Sequence, residues 1–134
     1  LAGTPPMLAM AGLEAGVDLW LDIDRAQVAA KSATLFDLLA AIGARLGLEC
    51  VSPANPAERG SHISFRHPQA YALCQALIAR GVIGDFRDPD ILRFGLTPLY
   101  LGFEDVWRAG EILGEILATA THTDPTFSKR NAVT

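Results

Sequence analysis

Cysteine is scarce in this chain: Cys50 and Cys74 are the only two in 134 residues. They are too far apart for a CxxC pair, which favours free thiols in a reducing compartment over a disulfide framework. The three histidines, His62, His67 and His122, form no HExxH and no other ligand-spaced cluster, so no metal site is expected. Basic residues are in deficit, 11 against 15 acidic for a net charge of −4. That balance gives no support for nucleic acid or an anionic membrane surface as partner. No apolar run approaches the roughly 20 residues of a membrane span. No basic stretch precedes an apolar one as a secretory leader requires. Repeats and low-complexity tracts are absent. Together these absences point to a cytoplasmic protein.

What remains is a chain half of whose residues are hydrophobic, enough for one domain with a real core. It opens Leu-Ala-Gly-Thr without a methionine and reads as a piece of something longer. Thr4-Pro5-Pro6 is a helix start, with Thr4 as N-cap and Pro5 at the first helical position. The helix is expected over about 5–14, with Met7, Leu8 and Ala11 turned inward and Gly16 ending it. The free amides there also form a potential anion site. A long second helix runs to about Leu46, where Leu35, Leu38, Leu39, Ile42 and Leu46 form a core-facing stripe and Gly47 stops it. Lys31, Asp37 and Arg45 fall on other faces and are expected in solvent.

Strands follow at 48–52 and 62–65. His62 is an acid/base candidate by residue type, or simply a polar residue on the outer face of a sheet. Pro68 opens a helix that Gly81 closes. The last helix, 103–119, presents Phe103, Val106, Trp107, Gly110, Leu113 and Leu117 to the core. Residues 120–134 lack apolar periodicity and are expected as a flexible tail, leaving 1–119 as the folded domain. The order of elements predicts an α+β fold with a small, mostly antiparallel sheet covered by helices on one face.

The most informative stretch is 83–100, IGDFRDPDILRFGLTPLY. Asp88-Pro89-Asp90 is a turn signal between two extended runs. Alternation puts Leu92 and Phe94 on one face and Ile91, Arg93 and Gly95 on the other. An arginine flanked by apolar residues needs a partner. Either Asp85 pairs with it across the hairpin, or it holds the carboxylate of a ligand bidentately.

Four stretches, Gly3-Thr4-Pro5-Pro6, Arg59-Gly60-Ser61-His62-Ile63-Ser64-Phe65, the run 81–87 (GVIGDFR) and the run 93–100 (RFGLTPLY), occur here in an order and spacing that resemble bacterial kynureninase. The resemblance reaches to about Ala118. It implies the C-terminal small domain of a fold-type I pyridoxal-phosphate enzyme, one that hydrolyses L-kynurenine to anthranilate and L-alanine as a homodimer with sites at the subunit interface. It implies that Arg93 binds the substrate α-carboxylate. It also implies that Thr4 contacts the cofactor phosphate from the neighbouring subunit, with Gly3 beside it shaping the substrate's aromatic end. The Schiff-base lysine belongs to the larger domain, and neither Lys31 nor Lys129 matches its motif. No catalytic residue is therefore expected in this stretch, and the chain by itself should be inert. Two other readings stay open: the small domain of a related pyridoxal-phosphate enzyme, desulfurase-like or aminotransferase, and a stand-alone α+β module that binds a small carboxylate.

Overall fold

A computed structural model describes residue 3 and residues 6–129. Its elements run α1 (Met7–Leu21), α2 (Arg25–Arg45), β1 (Glu49–Cys50), β2 (His62–Arg66), α3 (Ala70–Ala79), β3 (Asp85–Arg87), β4 (Ile91–Gly95), α4 (Phe103–Ala118) and α5 (Pro125–Ser128), with 3-10 turns at Pro56–Glu58 and Thr121–Thr123. The four strands form one antiparallel sheet in the order β1-β2-β4-β3. The α+β expectation holds, with the predicted hairpin as half of the sheet.

Alternation along the strands decides the layers. Ile63 and Phe65 of β2 lie opposite Phe94 and Leu92 of β4, and all four are buried. Helices α2 and α3 cover this face, and α4 packs outside them. The α2 stripe supplies Leu35, Leu39 and Ile42 to the core, with Leu38 and Leu46 at its margin. Asp24 starts α2 by accepting hydrogen bonds from the Ala26 and Gln27 amides at 2.8 and 3.3 Å, a cap worth about 1 kcal/mol. Gly47, at φ +74, ends it. The Gly47 amide donates to Ala44 O and that of Leu48 to Gly43 O, which satisfies the last-turn carbonyls. Gly43 also sets how closely α2 lies on the sheet: a Cβ there would come within 2.3 Å of the Phe65 ring.

Several expectations are corrected. Helix α1 is longer than predicted and runs through Gly16, and it has no buried residue. Met7, Leu8 and Ala11 face solvent, Leu8 at 92% exposure. The local pattern specifies a helix, but among the described residues no element buries any of its side chains. On α4 the buried residues are Val106, Gly110, Leu113 and Ile116, while Phe103 and Trp107 stay about half exposed. Trp107 forms a platform for the Arg45 guanidinium, 5.6 Å from its ring centroid. Lys31 is not free in solvent: its Nζ donates to Pro98 O at 2.7 Å, tying α2 to the loop after β4. Asp37 stays in solvent as expected, though it also pairs with Arg59 at 3.3 Å.

The segment after Ala120, expected as a flexible tail, folds back as far as it is described. His122 is buried and meets His67 edge to face, with ring centroids 5.4 Å apart. Asp124 caps α5 by accepting from the Thr126 amide at 2.8 Å, and Phe127 packs on the core. A few short-range contacts, a cap and the packing of Phe127 hold it, none of which shows as an apolar period. Residues 130–134 lie outside the described residues. Among the described residues, no helix is long and apolar enough to cross a membrane.

Candidate functional site

Among the described residues the sheet's second face carries no helix layer, and its side chains are mainly polar. Across the strands, Ser64, Arg93 and Asp85 share one rung, and Arg66, Ile91 and Arg87 the next. The hairpin therefore places Asp85 directly beside Arg93, as the alternation suggests. Arg93 Nη2 donates to Asp85 Oδ2. The same oxygen accepts from Arg87 Nε at 3.1 Å and lies 3.0 Å from Arg87 Nη2. Among the described residues, Arg93 Nε and Nη1 have no hydrogen-bond or ion-pair partner.

Two guanidinium groups thus share one carboxylate, leaving one positive charge over at this end of the face. Toward the β1 side of the sheet the balance reverses. Arg66 faces two carboxylates, Glu49 at 2.7 Å and Asp90 at 3.3 Å. The open face is dipolar, with its positive end at Arg93 and Arg87. Partial burial pushes the Asp85 carboxyl upward, but the hydrogen bonds and charges of Arg93 and Arg87 outweigh it and hold the group below the ordinary carboxylate range. Arg93 keeps 33% of its side-chain surface in water, so a small anion can reach it directly.

The other predicted residues are dispersed. His62 is exposed on β2, opposite Gly95. Gly3 is exposed, with φ +117 and nothing within 4 Å of where a Cβ would stand. Thr4 lies outside the described residues. Concavities of about 460 Å³, lined by Phe94, Leu96, Arg80 and Arg108 among others, and about 520 Å³, between α2 and the loop before β2, do not include Arg93. Cys50 is exposed and Cys74 buried, and burial, then the nearby Asp85 charge, raises the Cys74 thiol. Neither described lysine is offered to this face: Lys31 is engaged with Pro98, and Lys129 follows α5.

Two arginines are given no role by the sequence. Arg87 falls on the same strand face as Asp85 by alternation, but its grip on that carboxylate is not stated by spacing. Arg59 stacks on Phe36, 3.4 Å from its ring centroid, and donates to Pro53 O and Ala54 O at 3.1 and 2.9 Å. With a side chain only 7% exposed, it clamps the loop before β2, and nothing in its local sequence announces that.

The sequence profile of the family described as kynureninase C-terminal domain matches residues 25–113. The kynureninase of Pseudomonas fluorescens is 47% identical over 138 aligned positions, which cover all of this chain and 33% of that relative. The kynureninases of Burkholderia mallei and Burkholderia pseudomallei are 46% identical with the same coverage. The chain therefore spans about a third of the length of the curated relatives it matches.

Proposed function

This chain belongs to the kynureninase family, whose C-terminal domain it matches, and we propose that it serves as that domain in an enzyme hydrolysing L-kynurenine to anthranilate and L-alanine. The family match favours this over an aminotransferase, a desulfurase-like enzyme or a stand-alone binding module. The observation that carries the site assignment is the surplus guanidinium on the open sheet face, with Arg93 Nε and Nη1 unengaged among the described residues. A planar fork on a strand fixed from both sides grips an α-carboxylate in one orientation, and orientation is a large part of what a binding site contributes to rate.

The cofactor of this reading is pyridoxal phosphate, which when bound supplies the electron sink for cleaving the bond. The chain's own residues fit its periphery only. Arg93 orients the amino acid, and Thr4, with Gly3 beside it, meets the phosphate from the neighbouring subunit of a homodimer. Pro6 precedes α1, and among the described residues no side chain caps its first-turn amides, as an anion at that end requires. Lys31 and Lys129 do not suit a cofactor linkage, so the remaining two thirds of the relatives' length must supply it. Anthranilate fluorescence on feeding L-kynurenine with pyridoxal phosphate tests the proposal. The full-length protein should turn over and the 134-residue chain alone should not. No turnover in the full-length protein overturns it.

A further inference from the structure

Resting on the reading of Arg93 as the carboxylate clamp, we infer that Asp85 is its positioning residue: anchored by Arg87, it fixes the Arg93 guanidinium so that one bidentate edge faces the substrate carboxylate. Three observations meet here. Asp85 is the direct cross-strand neighbour of Arg93 and accepts from its Nη2 alone. A guanidinium has five N–H donors; Asp85 takes one hydrogen of Nη2, which orients the plane, and the second Nη2 hydrogen together with Nε or Nη1 leaves one two-donor edge open. Asp85 is itself held, because both Nε and Nη2 of Arg87 reach the same oxygen. It cannot swing away without breaking that grip.

The charge count explains why two arginines are needed. A carboxylate paired with Arg93 alone would neutralise it and repel the incoming substrate carboxylate. Shared between Arg93 and Arg87, it orients the first while leaving the cluster one positive charge. The depressed titration of Asp85 keeps it ionised throughout the neutral range. An arginine side chain already ordered before binding loses less conformational freedom when the ligand arrives.

The test uses the full-length protein with L-kynurenine as substrate and the α-carboxamide of kynurenine as a competitor lacking the carboxylate. Asp85→Asn should raise KM for kynurenine about tenfold, with kcat changed less than about threefold. The inhibition constant of the carboxamide should stay within about twofold, since the amide does not use the clamp. Arg87→Gln, which releases Asp85 from the other side, should show the same acid-selective loss at smaller size, and it decides the matter if Asp85→Asn folds poorly. An equal weakening of acid and amide marks a purely structural role and overturns the inference. So does an unchanged KM in Asp85→Asn while Arg93→Ala loses binding, an outcome that leaves the clamp itself standing. If Arg93→Ala has no effect on KM or kcat, the clamp reading fails and this inference with it.

Discussion

Along β4 two surfaces alternate residue by residue. Leu92 and Phe94 are 0% and 6% exposed, while Arg93 between them keeps a third of its side chain in water. The inner face is apolar, continuous and covered by α2 and α3. The outer face is a set of shared charges with no covering layer among the described residues. The difference teaches that holding the domain together and the proposed meeting with a charged ligand are separated on this sheet by one peptide unit. They should fail independently.

The largest expected effect lies inside. Phe65→Ala empties a fully buried ring site against Gly43 and Leu92 and should lower unfolding free energy by about 3–5 kcal/mol, read by denaturant titration. Arg93→Ala tests the opposite case. It should cost about 1.5–3 kcal/mol of substrate interaction, at least about tenfold in kcat/KM, and shift stability by no more than about 0.5 kcal/mol. A loss of activity below threefold, or a stability loss like that of Phe65→Ala, would break the separation.

Acidification should sharpen it further. Burial, then the neighbouring His122, lowers His67 below the ordinary histidine value. Its folded state therefore binds protons less readily than the unfolded one. Stability is fully present above about pH 6.5 and falls as pH drops through the lowered value. Hydrogen exchange in residues 121–128 should accelerate in that window. The Asp85 cluster also has a lowered pKa, but from a carboxylate starting point, so its contribution should persist until pH falls below the ordinary aspartate range. Simultaneous loosening of both regions would contradict this order. The smallest effect is expected at Thr4→Ala, which should weaken pyridoxal phosphate retention in equilibrium dialysis of the full-length protein while sparing turnover at saturating cofactor. Unchanged retention removes Thr4 from the phosphate site.

Much of this was legible in the residues because strands and helices impose fixed periods. The turn at Asp88-Pro89-Asp90, the burial of Leu92 and Phe94, and Asp85 as partner of Arg93 follow from alternation across a hairpin. The stripe of α2 follows from a period of 3.6, and Gly47 stands where a left-handed residue was needed. The ligand role of Arg93 rests instead on family resemblance, since alternation allows an ion pair equally well. What local pattern missed depends on distant partners. Helix α1 has the composition of a buried helix, yet among the described residues none of its side chains is buried. Trp107 reads as core, yet it lies half exposed beneath Arg45. His122 sits in a segment too short for any period, held by its contact with His67, a capped turn and the packing of Phe127 on the core. The double grip of Arg87 on Asp85 is a matter of side-chain geometry, which spacing suggests but does not fix.

The strand order has a further consequence for how the molecule behaves in concentrated solution. Its central strands, β2 and β4, have five residues each, whereas the edge strands β1 and β3 have two and three. A foreign strand adding to either edge finds only a short row of unpaired backbone groups, too few to template a fibril. Clumping of the isolated chain should therefore begin on the apolar flank of α1 and disperse in mild detergent, without any cross-β signature.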